Sequence, residues 1–458
     1  MTGSTELRDW LIPRDPRRLA LCFLGALLLC FFGGGAMALV LRVELLDPEP
    51  GLLSGEAFNY AFTLHGLLLG LVFALPAIPA TLGNFVVPLQ VGARRGGRPW
   101  FGVASLYLFV VAVCGLVSAV HRVPDFSPEG PAWSVRLGAA GLALSAGLTA
   151  LELLRTIHRG RAAEVQWRGL PLFTWASLAG AWATLVSVVM LLGLGVAVMV
   201  RDPRMLGMLM HGVLAAIAGL ALVPALGIVC EILEVHARGL ASRRFVIAAL
   251  VILAVVAVPV WSLDPLAANV ARQLGRVAAV LLVGAWALPL VRGGRGATTP
   301  LLYAAGAIVS LVLAGMSGAV LGALSEAQLD DTYFVIGDYH LRMLVVVLSL
   351  LGGLHHWWPR LTGRMYDEDA GRVGALLVWA GATAHGVAAL VLGHEGMPRR
   401  YWTYLPEYTD LQRVMSVGAF ICAAGLVWTA VYLVRSWTRG APAPADPWDA
   451  KSREWEAP

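Results

Sequence analysis

Residues Asp331–Gly363 read DTYFVIGDYHLRMLVVVLSLLGGLHHWWPRLTG, an apolar stretch of membrane-spanning length that carries Asp338, His340 and Arg342 near one end. Ionisable side chains at membrane depth are costly unless they are paired or ligated. The cluster is therefore either a functional site or a set of groups that neutralise one another without a cofactor.

The surrounding chain has the same character. Its 458 residues are 58% hydrophobic and only 14% charged, which fits an integral membrane protein and excludes a soluble domain with a single core. The net charge of +5 is almost entirely arginine, since Lys451 is the only lysine. Positive charge that sparse reads as membrane-loop topology and excludes a nucleic-acid footprint. The five cysteines (Cys22, Cys30, Cys114, Cys230 and Cys422) all fall in apolar runs without a CxxC pair. Disulfides, a thiolate metal centre and covalent haem attachment are disfavoured. The opening MTGSTELRDWLIPRDPRRLA is polar for too long to be an ordinary signal peptide, so Arg18 onward is expected to be a retained first span.

Apolar stretches of about 20 residues, the length that crosses a hydrocarbon core, recur about twelve times. They fall near 18–41, 58–82, 100–120, 134–155, 173–199, 205–233, 244–262, 271–291, 300–324, 333–358, 373–393 and 413–435. Arginines cluster before the first span and after every even-numbered one, whereas opposite loops such as VELLDPEPGLLSGE and SEAQLDD are acidic. Positive residues stay on the cytoplasmic side, so both termini are expected there. The pattern predicts an all-α, polytopic membrane bundle over residues 1–440 and a polar cytoplasmic tail over 441–458.

Histidine is the informative residue. His65 and His340 each lie seven residues into an expected span, and both spans run inward from the outer face. A rise of about 1.5 Å per residue puts both imidazoles about 10 Å below that face. Two histidines at matched depth suit a planar metallocofactor held between them; two core histidines bonded to backbone carbonyls would give the same spacing. In the outer loop GHEGMPRRYWTYLPEY, Arg399 and Arg400 break the positive-inside trend at the same end. Adjacent guanidiniums can neutralise haem propionates, although an arginine pair in a loop is ordinarily a solvated surface.

Several motifs in order then resemble subunit I of the haem-copper respiratory oxidases over essentially the whole chain. WLIPRDPRRLA with LRVELLDPEPG resembles the first span, and FTLHGLLLG with LPAIPATLGNFVVPLQVGA the second; LPLFTWA opens the fifth in the family's manner. DDTYFVIGDYH with WWPRLTG, GMPRRYWTYLPEY and DPWDAKSREWEAP resemble the tenth span, the propionate loop and the tail. The resemblance implies the family's fold, with His65 and His340 as axial ligands of a low-spin haem of type a or b. It also implies that Arg399 and Arg400 hold propionates and that Arg42 lies near the haem edge.

The departures are as informative. Where the family has a second histidine, which binds the iron of the oxygen-reducing haem, this chain has Asp338. That residue lies about 200° around the helix from His340. The family's copper needs a histidine in the sixth span and an adjacent pair in the seventh, yet no histidine occurs between His236 and His340. Ala215 falls at the copper-histidine position, and Ile217 and Gly219 replace the proton-conducting acid and the cross-linked tyrosine. His211, four residues outward, is a displaced candidate ligand. His355 and His356 are expected at the cytoplasmic interface beside Trp357 and Trp358. The family's lysine and aspartate proton routes are missing, and Asp330 and Asp331 fall at positions that help hold magnesium, the first in place of a histidine. Asp338 and Arg342, spaced i,i+4, can pair; proton uptake or a new ligand site is the functional alternative.

The expectation is an electron-transfer subunit with one haem, no copper and no second haem. Its partners would be membrane lipid and other respiratory subunits: a cytochrome or cupredoxin subunit of the subunit II kind, an intact subunit I, or quinone. The alternatives are a divergent cytochrome c or quinol terminal oxidase that reduces dioxygen, and a haem-free structural or assembly subunit.

Overall fold

The computed structural model describes residues 2–49, 51–93, 99–122, 133–201, 204–237, 239–240, 242–259, 264–292, 296–324, 328–450 and 452–456. Helix α1 (Thr2–Leu11) precedes the first long helix, α2 (Pro16–Glu44). Helix α3 (Gly55–Gly66) continues through π-helical turns at Leu67–Phe73 and Pro79–Gly83 into α4 (Asn84–Gln90). Then come α5 (Trp100–Arg122), α6 (Trp133–Arg155), α7 (Leu172–Arg201), α8 (Arg204–His236), α9 (Arg243–Val256) and α10 (Pro265–Arg292). The last part comprises α11 (Thr299–Ala323), α12 (Tyr333–Thr362), α13 (Glu368–His394), α14 (Thr409–Arg439) and the short α15 (Arg453–Glu456). No strand occurs among the described residues; the only β features there are two isolated bridges.

The chain is an integral membrane protein: eleven helices among the described residues are long and apolar enough to cross a bilayer. The seventh expected span corresponds to α9, whose 14 residues are too short to be counted with them. It ends at Val256, with Ala257 as its C-cap.

Two compact units emerge. The first comprises Met1–Phe31, Gly70–Arg292 and Ala445–Pro458; the second comprises Phe32–Leu69 and Gly293–Pro444. In the first, the polar tail docks instead of trailing. Glu454 and Trp455 are 0% and 4% exposed, and the Gln90 amide donates to Glu454 Oε1 (3.1 Å).

The second unit holds the opening stretch. Thr332 caps α12 by accepting from Phe334 N (3.2 Å), and Gly363 ends it in the left-handed conformation (φ 75°), its N–H bonded to Pro359 O. Asp367 starts α13 by accepting from Asp369 N and Ala370 N. Side chains hold membrane helices together largely through close fit, so small residues set how near the backbones come. A Cβ on Gly337 of α12 would stand 2.7 Å from Gly386 O of α13, and one on Gly381 would stand 2.4 Å from Cys422 N of α14. The three backbones are in direct contact at these crossings.

Gly381→Ala is therefore expected to push α13 and α14 apart and destabilise the second unit by about 1–3 kcal/mol, the usual cost of overpacking. A lowered thermal transition in detergent reads this out, and an unchanged midpoint would contradict the crossing.

Candidate functional site

Helices α2, α3, α12, α13 and α14 bring the polar residues of the second unit together. His65 of α3 and His340 of α12 face one another with ring centroids 6.2 Å apart and planes 12° from parallel. His65 Nδ1 bonds Gly34 O of α2 (3.1 Å), and His340 Nδ1 bonds Ile336 O one turn back on its own helix (2.7 Å). A carbonyl only accepts, so each Nδ1 carries the proton and each Nε2 keeps its lone pair.

The ring separation and the anchored Nδ1 atoms fit residues that could hold a metallocofactor. Metal-bound histidines ordinarily anchor their second nitrogen on a carbonyl or carboxylate. With metal–nitrogen bonds of about 2 Å and roughly 1.1 Å from nitrogen to ring centre, opposed ligands place their centroids about 6.2 Å apart. Both residues are half-buried. Core histidines sealed by backbone carbonyls would be packed on both faces.

Arg42 of α2 supplies the second test. It is 7% exposed, yet its partner is a neutral amide: Nη1 donates to Gln412 Oε1 (2.9 Å). No carboxylate of the described residues pairs with it, whereas eight other arginines do pair.

 A buried, uncompensated cation is costly, and an anionic or carbonyl-bearing ligand beside it would relieve that cost.

The loop between α13 and α14 sits where α2 ends. Glu44 accepts from the backbone N–H groups of Gly51, Leu52 and Leu53 and from Trp402 Nε1 (2.9 Å). Tyr404 donates to Leu45 O (3.0 Å); burial, and then the nearby Asp47, pushes its hydroxyl up in pKa, so it stays a donor. Tyr333 N bonds Met397 O (2.9 Å), which fixes the loop to the start of α12. Arg399 pairs with Asp331 (3.1 Å), and Arg400, at φ 68°, lies over the Phe62 ring (5.9 Å). Asp331 is thus committed to Arg399, and Asp330 is exposed. Among the described residues no group of three or more His, Cys, Asp or Glu side chains is arranged to hold a metal ion.

Asp338 is closed off from this site. Its carboxylate accepts from Arg342 Nη2 (2.9 Å to Oδ1, 2.8 Å to Oδ2) and from Ser317 Oγ of α11 (2.7 Å). The ion pair expected from the i,i+4 spacing is present. In the first unit, Ile217 is buried. The side chains of Ala215 and His211 lie outside the described residues.

The structure adds to two sequence readings. His355 and His356 are 0% exposed: His355 Nδ1 bonds Leu351 O (2.6 Å), its Nε2 bonds the Tyr432 hydroxyl, and its ring lies beside those of Tyr303 and Tyr366. The sequence reading also passed over His385 of α13, whose ring lies 4.9 Å from that of His340 at 62°. Its only signal was an imidazole inside the eleventh expected span.

The fold and site define an all-helical membrane protein with a paired-imidazole site between helices. A family model for cytochrome c and quinol oxidase polypeptide I matches residues 18–421, and the chain belongs to that family. It is 30% identical over 506 residues to cytochrome c oxidase subunit 1 of Bacillus subtilis, covering 99% of this chain and 80% of that one. A heme-copper oxidase subunit I+III of Aeropyrum pernix is 27% identical over 97% of this chain, which spans 60% of that protein's length. A solved heme-copper terminal oxidase dimer shares the fold, with a TM-score of 0.77 over 96% of this chain and 86% of its own at 15% identity.

Asp338→Ala leaves Arg342 unpaired and is expected to destabilise the protein by about 1–3 kcal/mol, whereas adding Arg342→Met should recover most of the loss. A double-mutant cycle on thermal unfolding checks the coupling; purely additive effects would contradict it.

Proposed function

We propose that this chain is a membrane electron-transfer subunit of a respiratory complex, holding one bis-histidine low-spin haem and lacking the dioxygen-reducing centre. The observation that carries the reading is the His65–His340 pair, opposed at 6.2 Å with both Nδ1 atoms anchored on carbonyls. A haem held there supplies one-electron exchange.

The chain's own residues do the rest. His65 and His340, each anchored by Nδ1 on a carbonyl, would hold the group from two helices through their Nε2 atoms. Arg42 places a buried positive charge at the edge of the site, and Arg400 adds positive charge in the loop at the outer end, where Arg399 would have to give up Asp331 to do the same. Those charges favour the propionates and, by opposing further positive charge, favour the reduced state. Asp338 has its oxygens occupied by Arg342 and Ser317, which supports the absence of a second haem ligand on α12. The substitutions at Ala215, Ile217 and Gly219 support the absence of copper. The next electron carrier then lies in a partner: a cytochrome or cupredoxin subunit, an intact subunit I, or quinone. The arginine pattern favours cytoplasmic termini and a site near the periplasmic side of a bacterial membrane.

The names of the relatives favour a second reading, a divergent terminal oxidase that reduces dioxygen with replaced ligands. Metal analysis with reduced and carbon-monoxide spectra separates the two. The expected result is one haem iron per chain, no copper and no carbon-monoxide response, with loss of the Soret band in His65→Ala and His340→Ala. Stoichiometric copper would favour the oxidase, and a wild-type protein without a Soret band would favour a haem-free subunit.

A further inference from the structure

His385 has no part in the two-ligand reading, yet it is the side chain whose ring lies across His340 from α13. Three constraints hold it there. The backbones of α12 and α13 touch at Gly337 and Gly386, three residues before His340 and one after His385. On its other side α13 touches α14, where a Cβ on Gly418 would lie 2.7 Å from His385 N. The His385 ring is then tied down by Nδ1, which donates to Met415 O of α14 (2.9 Å). Neither the ring nor its backbone has room to drift.

His340 is held less firmly. Its Nδ1 bonds a carbonyl of its own helix, which fixes one atom of the ring but leaves rotation about that bond as a soft coordinate. A rigid ring set edge-on at 62° and 4.9 Å blocks that rotation. Aromatic rings in this arrangement also attract, edge against face.

We propose that His385 is a positioning residue: it fixes the plane of the His340 imidazole and so keeps the two ligand planes near parallel, at 12°. The inference rests on the haem reading above. Supporting groups of this kind orient a metal's ligands and tune the metal without binding it. His385 makes no bond to iron in this role, and no change in its protonation is involved.

The relative orientation of two axial imidazole planes sets the g-values of an oxidised low-spin haem, so electron paramagnetic resonance of the purified full chain reads the effect directly. Near-parallel planes give a rhombic signal, expected for the wild type. His385→Ala removes the brace, and its largest g-value should shift and broaden while the Soret band remains. His385→Phe keeps a ring against His340 without the Met415 bond and should restore the wild-type signal. Unchanged g-values in His385→Ala would overturn the proposal. So would a His385→Phe signal displaced from the wild type, which also decides the matter if the alanine variant fails to fold. Absence of haem from the wild type would instead overturn the reading on which this inference rests.

Discussion

The second unit depends on main chains that touch. Where α12 meets α13 and α13 meets α14, a single added Cβ would fall within bonding-like distance of a neighbouring carbonyl or amide. In a bilayer the lipid is as apolar as the helix surfaces, so fit and hydrogen bonding carry helix association in place of hydrophobic exclusion. Glycine at these crossings brings the helices close enough for His385 to reach His340 and to bond Met415 O. The same closeness lets Tyr432 of α14 reach His355 of α12.

The polar groups within that unit then fall into two kinds. Asp338, Arg342 and Ser317 satisfy one another, as do His355 and Tyr432, and these clusters stabilise without needing anything further. Arg42 is left a buried cation facing a neutral amide, and the His65 and His340 rings lie 6.2 Å apart with only their Nδ1 atoms bonded. A buried cation without a carboxylate is unusual, and its grouping with the two histidines on α2, α3 and α12 is what sets the site apart from ordinary core. The outer loop continues the pattern, since Glu44 and Tyr404 bind it to the end of α2 and so hold Arg399 and Arg400 at that end.

Much of this was legible in the residues. Span length and arginine placement follow from hydrocarbon thickness and from the cost of moving positive charge across it, and they give the helical membrane class. Depth along a helix is fixed by a constant rise per residue, so His65 and His340 could be matched without coordinates, and the i,i+4 spacing of Asp338 and Arg342 announced their pair. The motifs around the tenth span and the propionate loop pointed to the family.

Azimuth and crossing are another matter, because they depend on which faces of separate helices meet. His385 has no partner at a readable spacing, and only the contact of α12 with α13 puts it against His340. The tryptophans that follow His355 and His356 say nothing of what surrounds their rings, which the bundle buries, with Tyr303, Tyr366 and Tyr432 around His355. Likewise, nothing in DPWDAKSREWEAP shows that Glu454 would be enclosed beside Gln90. The sequence by itself determined the class, the spans and the matched depth of His65 and His340, all of which are set by distances along one chain. Only tertiary structure decided which polar groups satisfy each other and which stay open, because that is set by distances between helices.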